Sequence, residues 1–374
     1  MRIKKIALAV AFSAAAAASA SAADIQIYGR VDSGLRYENM SGKDDSLTMT
    51  NNKSAPRIGF NIKEDLGNGY MVKVYLENGF KLDTGEFSSA DTLFNRRAIL
   101  AVKGPWGEIG AGRAGTVQSS GAPYSMGLGK WDVMGTSYSQ SSVTTTFANS
   151  DRVNNGIHYV SPKINNLKFG LSYSTGDKAE EDDDGNGYKW QDKQHTFAAA
   201  VNYEVENLFL ALTFANVDQA HDTKTGKANS DARAYQVGGW YQMTPALRLR
   251  AGAGYQTDWA TGAKLTVKNA TGATAADETR GWDGYSGVIG VEYKSGAHKF
   301  MADVQHFNGE LSNNSDVDFK RTVFAAVYEY SLAKNVTAYV GNSYSDASGS
   351  AAKDKKGDAA RDTYQAYVGL AYVF

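Results

Sequence analysis

Residues 57–79 read RIGFNIKEDLGNGYMVKVYLENG. Ile58, Phe60 and Ile62 alternate with Arg57, Asn61 and Lys63. After the short connection Leu66-Gly67-Asn68-Gly69, Tyr70, Val72, Val74 and Leu76 alternate with Met71, Lys73, Tyr75 and Glu77. Successive side chains of a strand point to opposite faces, so each half is a strand with one apolar and one mixed face. The same period recurs along the chain. Ile25, Ile27, Val31, Leu35 and Tyr37 oppose Gln26, Tyr28, Arg30, Asp32 and Arg36. Ala98, Leu100 and Val102 oppose Arg97, Ile99 and Lys103, and Leu247, Leu249 and Ala251 oppose Arg248 and Arg250. The last residues alternate Tyr364, Ala366, Val368, Leu370, Tyr372 and Phe374 with Gln365, Tyr367, Gly369, Ala371 and Val373. No helical period competes with this one.

A soluble sandwich also alternates. Two features point instead to a barrel in lipid. Connections alternate between short (66–69, 105–107, 164–166, 243–245, 333–335) and long (near 39–55, 114–150, 176–194, 218–233, 257–282, 308–320 and 346–362). Short turns at one rim and long loops at the other are the habit of outer-membrane barrels. Tyrosine and phenylalanine recur at strand ends, where interfacial girdles lie. Segment counting predicts an all-β, 16-stranded antiparallel transmembrane β-barrel with long external loops. The strands fall near 24–37, 53–65, 70–82, 92–104, 107–114, 152–161, 166–176, 195–205, 208–217, 234–243, 246–256, 284–294, 299–307, 321–331, 336–345 and 363–374. An even count lets the first and last strands pair, leaving no edge open to lipid. Sixteen strands enclose water rather than a packed interior, so the lumen is a diffusion path.

Composition agrees. The 374 residues hold 39 glycines, 22 tyrosines, 5 prolines and no cysteine, which excludes a disulfide scaffold, thiolate zinc sites and a cysteine nucleophile. A net charge of -1 speaks against a nucleic-acid partner. Residues 1–22, MRIKKIALAVAFSAAAAASASA, read as a secretory signal peptide: a basic start, an apolar run, then Ala20-Ser21-Ala22. The run is too short to span a bilayer, which takes roughly 20 residues. Residues 23–374 then form one domain, exported by a bacterium.

Several pieces, in order, carry a family resemblance: IYGRVDSGL at 27–35, RIGFNIKEDLGNGY at 57–70, FNRRAILAVKGPWGEIGAGR at 94–113, RVNNGIHYVSP at 152–162 and the terminal AYVGLAYVF. Together they resemble the Gram-negative general porins of the beta-proteobacterial and neisserial type. The resemblance implies an outer-membrane homotrimer of sixteen-stranded barrels, embedded in lipid and lipopolysaccharide. It also implies a third loop folded into each pore, and passage of small hydrophilic solutes and ions with a preference for anions. The terminal Phe374 and Tyr372 look like the signal read by the barrel assembly machinery.

The region 114–150 stands where the family has its third loop, and a loop this long in a compact unit is usually functional. Alternation puts Arg57, Lys73, Glu77, Arg97, Lys103, Arg152 and His158 on the lumen side. The family pattern has an arginine at the start of its second strand, one in an asparagine-arginine motif and one before its sixth strand. These match Arg57, Arg96 or Arg97, and Arg152. The motif selects Arg96, strand parity selects Arg97, and the sequence leaves both open. His158 stands where relatives often carry arginine, and Pro56 where they carry serine. Glu77 on the wall and Asp132 on the loop are the expected opposing acids, giving a transverse field. Rings of arginine and lysine attract anions and raise the barrier for cations.

Other signals carry less. Asp182-Asp183-Asp184-Gly185-Asn186-Gly187 resembles the start of a calcium loop, but its twelfth position is Lys193, not glutamate, so an acidic external loop is expected. The five histidines show no metal spacing and no G-x-S-x-G occurs, so neither a metal, a cofactor nor an enzyme is expected. GEIGAGRAG at 107–115 lacks the lysine–serine/threonine of a phosphate loop. Two rivals remain: a substrate-specific channel for organic anions, phosphate or short sugars, and a surface adhesin using the external loops.

Overall fold

The computed structural model describes residues 23–176, 195–218, 231–259, 281–352 and 362–374. The signal peptide and the acidic run at 182–187 lie outside the described residues, as do most of the long connections expected near 176–194, 218–233, 257–282 and 346–362. Seventeen strand segments follow in chain order: β1 Asp24–Met40, β2 Ser46–Thr50, β3 Arg57–Gly67, β4 Tyr70–Gly79, β5 Arg97–Gly104, β6 Gly107–Gly115, β7 Arg152–Val160, β8 Leu167–Ser174 and β9 His195–Val205. The rest are β10 Leu208–Asp218, β11 Ala232–Gln242, β12 Leu247–Trp259, β13 Trp282–Ser295, β14 His298–Leu311, β15 Asn314–Ala333, β16 Val336–Ser348 and β17 Thr363–Val373.

Consecutive strands pair antiparallel, and β1 closes on β17 from Arg30 opposite Val373 to Met40 opposite Thr363. The seventeen segments fill sixteen places. The first half of β1 pairs with β3 (Asp24 opposite Lys63), and its second half with β2 (Gly34 opposite Thr50). β2 and β3 are thus one strand interrupted at 51–56. Pro56 offers no ladder N–H there, and the Asp32 carboxylate accepts the Ser54 N–H at 2.7 Å, drawing the chain off the ladder.

The expected strand at 53–65 is corrected to this broken pair, and the expected long connection at 39–55 shrinks accordingly. The connection expected at 308–320 is also not a loop. β14 and β15 continue as a hairpin with Glu310 opposite Asp318, because Phe319 packs with Trp282 and Phe307. Polar residues suggested a loop, but strands that project past the lipid need no apolar face. Conversely, β5 starts at Arg97 rather than near 92, and 80–96 form a connection whose Asn95 side chain accepts the Gly79 N–H at 2.8 Å.

The apolar face of every strand points outward; Ile289 in mid-β13 is 67% exposed and Leu100 59%. Among the described residues no central apolar core forms. Apart from the cluster of Trp282, Phe307 and Phe319, the buried apolar clusters sit where the connection 116–151 meets the inner wall. They hold Leu128, Trp131, Val143 and Phe147 against Phe209, Ala211 and Val288.

Candidate pore constriction

Residues 116–151 form the third external connection, expected at 114–150, and they fold into the barrel. A one-turn helix, α1 (Leu128–Trp131), seats Trp131 against β11 and β12. Trp131 is 1% exposed. A Cβ on Gly238 or Gly252 would lie 2.4 or 2.6 Å from its ring, so only glycine leaves room. Hydrogen bonds then tie the segment round the wall. Gln118 donates to Gln236 on β11 at 2.9 Å, and Thr146 to Gln305 on β14 at 3.0 Å. Gln140 donates to Ser343 on β16 at 2.9 Å, and Tyr138 to Glu329 on β15 at 2.6 Å. The Tyr138 N–H reaches the Asn52 carbonyl at 2.6 Å. Among the described residues no hydrogen bond joins this segment to β3, β4 or β5. The polar anchors of the segment thus lie away from that wall, although Tyr124 and Met126 cluster with Ile99 and Ala101 of β5.

The wall opposite carries two neighbouring rows. Register aligns Tyr28, Gly59, Glu77 and Arg97 across β1, β3, β4 and β5. It aligns Arg30, Arg57 and Gly79 one row further on β1. Gly59 is what lets the first row close: a Cβ there would lie 2.4 Å from the Tyr28 ring. The Tyr28 hydroxyl thus crosses β3 and donates to Glu77 Oε2 at 2.8 Å. Arg96 Nε donates to Glu77 Oε1 at 2.7 Å, Arg97 lies 3.3 Å from Oε2 and Arg57 4.0 Å from Oε1. Arg96 precedes β5, so strand parity does not bind it, and its side chain lies over Gly79. Arg96 and Arg97 therefore both reach the same carboxylate, and the sequence alternative dissolves.

Three guanidiniums share one carboxylate, which leaves two positive charges in surplus. Glu77 is 1% exposed and lies beneath the arginines rather than across the pore from them. Asp132 does not face them either. It is buried and caps its own turn, accepting the Met134 N–H at 2.9 Å and the Thr136 N–H at 2.5 Å. Burial pushes its carboxyl up to about 6, against the pull of those N–H groups and of Arg250. The pair of opposing acids expected from sequence is thus not formed.

The remaining residues scatter along the wall. Arg152 pairs with Asp151 at 3.2 Å, at the start of β7. Lys73 is spent on Glu108 at 2.7 Å. Lys103 is exposed six residues along β5 from Arg97, about 20 Å toward the short turns. His158 is 0% exposed, stacked on Tyr124 with centroids 4.9 Å apart and bonded to Ser172 at 2.9 Å. The inserted segment covers it, so it is not a lumen charge. Sequence reasoning missed Arg30, exposed opposite Arg57. It also missed Arg113, whose Nε donates to the Asn95 carbonyl at 2.7 Å, and Arg250, whose Nη1 donates to the Lys130 carbonyl at 2.9 Å. Parity already put Arg30 and Arg250 on the polar face; only register shows what they meet.

Residues 7–350 match the family model described as Gram-negative porin. The chain is 25% identical to an outer membrane porin protein of Bordetella pertussis, over 91% of this chain and 94% of that one. Among solved structures, an anion-selective porin from Comamonas acidovorans is similar with a TM-score of 0.71 at 18% identity, over 94% of this chain and all of that one. The trimer form of in-vitro folded OmpT, an outer membrane protein of Vibrio cholerae, is similar with a TM-score of 0.59 at 15% identity, over 95% of this chain and all of that one.

Proposed function

The chain belongs to the Gram-negative porin family, and on that premise we propose that its lumen prefers anions among the small hydrophilic solutes it passes. It is an outer-membrane porin. The observation that supports the preference is the surplus of guanidinium over carboxylate at the candidate constriction, Arg57, Arg96 and Arg97 on Glu77 alone. Guanidinium stays charged at all accessible pH, and low-dielectric walls focus its field on a passing ion. Flux through such a hole is passive, and catalysis has no part in this reading. The similar Comamonas structure is that of an anion-selective porin, which agrees with the charge balance.

Single-channel recording under a KCl gradient tests it. The wild type is expected to reverse on the chloride side, and Arg97→Glu to move the potential toward the cation side. A wild-type reversal on the cation side sinks the proposal, and an unchanged potential in the variant removes Arg97 from the selective region.

Assembly as a homotrimer in lipid and lipopolysaccharide belongs to the same reading. Conductance steps in groups of three support the trimer; uniformly single steps from a native preparation oppose it. Phe374 pairs through its backbone with Gly29 in both directions at 3.0 Å, which extends the β1–β17 seam; recognition of Phe374 and Tyr372 by the barrel assembly machinery is part of the same proposal.

A further inference from the structure

Asp303 on β14 is buried beneath the inserted segment, 5% exposed. It stands opposite Gly290 on the ladder with β13, and a Cβ on Gly290 would lie 2.7 Å from the Asp303 Cβ and 2.7 Å from a methyl of Val133. Val133 directly follows Asp132 in the chain. The two acids thus meet across one packed side chain, and the charge of Asp132 is felt at Asp303.

The buried acids Asp32, Glu77, Asp132 and Glu329 each accept two or more hydrogen bonds. Asp303 does not. Its Oδ1 has no partner among the described residues, and its Oδ2 accepts only from Gln305 Nε2 at 3.3 Å. No cation acts on it among the described residues. Gln305 also donates to the Ser141 carbonyl at 2.5 Å and accepts from the Thr146 hydroxyl, so the partner of Asp303 is itself an anchor of the segment. Around Asp132 stand Arg30 of β1, Lys53, Arg250 of β12, Glu292 of β13, Lys299 of β14 and Glu329 of β15. Arg250 and Lys299 pair with Glu292, and Lys53 pairs with Glu329. Tyr367 of β17 faces Asp303 and lies 3.3 Å from the Ser141 hydroxyl.

We propose that Asp132 and Asp303 form a proton-set latch on the inserted segment. With one proton on the pair, the turn 132–136 seats against β14; with both carboxylates ionised, their repulsion loosens it. Burial holds the Asp132 carboxyl at about 6 in the seated segment, against an ordinary value of 3.8 for an exposed one. Protons therefore bind the seated form more tightly. Its advantage is complete below 3.8 and is lost as the pH rises through about 6. Between pH 5 and pH 7 the ratio of seated to loosened segment falls about tenfold. The latch is separate from the arginines around Glu77 and does not depend on which ion the pore prefers.

The test is single-channel recording of the full-length protein with the same KCl solution on both sides, from about pH 5 to pH 8, across the titration of a carboxyl raised by burial. The readout is the share of time spent in brief current excursions. In the wild type that share should rise about tenfold from pH 5 to pH 7. Asp303→Asn keeps the side chain's size and removes the repelling charge, so its trace at pH 7 should be as steady as that of the wild type at pH 5. Asp132→Asn should flatten the pH profile. A wild-type trace indifferent to pH, or an Asp303→Asn profile that superimposes on that of the wild type, overturns the latch. A variant whose excursions increase equally at every pH shows packing alone and also overturns it. If one variant does not insert, the other is read against the wild type.

Discussion

Glu77 is the residue on which the charge balance turns. It is buried beneath Arg57, Arg96 and Arg97 and also accepts the Tyr28 hydroxyl. Its carboxylate holds like charges together that otherwise repel. Removing one partner of a buried ionic cluster costs about 3–5 kcal/mol. Glu77→Gln is therefore expected to lower barrel stability by that order, read as an earlier urea or thermal transition, while raising anion preference. Unchanged stability would show that the arginines are solvated well enough to stand alone. Gly59 has the complementary task. Gly59→Ala should displace Tyr28, since a Cβ there has no space, and should weaken the hydrogen bond to Glu77 without altering charge. A smaller shift in reversal potential than Arg97→Glu gives is the expected outcome.

Among elements, the segment 116–151 is the one whose position is decided by packing. It brings its own apolar side chains, Leu128, Trp131, Val143 and Phe147, into a lumen otherwise lined with polar groups. Trp131 meets Phe147 edge-on with centroids 5.1 Å apart and fills the space above Gly238 and Gly252. Truncating such a residue costs about 3–5 kcal/mol in a packed site. Here the cost falls on the segment's attachment rather than on the ladder. Trp131→Ala should keep the barrel closed but loosen the segment, visible as flickering of the single-channel current. A steady trace like that of the wild type would mean that the side-chain hydrogen bonds to Gln236, Gln305 and Ser343 suffice. The sequence announced this element by its length. It did not announce which wall receives it, because the receiving glycines lie on strands far along the chain.

For the molecule as a whole, the ladder that runs from β1 round to β17 leaves no open edge, which lipid demands. Its outer face is the solvent-exposed surface of this chain. Ile289 lies mid-strand on that face at 67% exposure. Ile289→Arg should destabilise the folded barrel by about 2–4 kcal/mol in lipid, as a charge near the bilayer midplane does. The same change at Val288, which points inward, should instead act through crowding against the inserted segment. Equal tolerance of Arg at 289 and at a rim position would contradict burial of this face in hydrocarbon. The order of strands and the barrel's size were legible from alternation and connection length, since period 2 and an even strand count admit few closures; the inward third connection was what the family resemblance implied.

Alternation, together with the pattern of short and long connections and the aromatic residues at strand ends, pointed in the sequence to a closed antiparallel barrel around water, and alternation assigned Arg57, Glu77 and Arg97 to the inner face. Which inner residues touch was beyond it. Partnership across a ladder depends on register between strands, and a hidden carboxylate cannot be told from an exposed one by parity. Only the tertiary structure decided that Arg96 and Arg97 both grasp Glu77. It alone showed that Asp132 turns back on its own backbone and that His158 lies under the inserted segment.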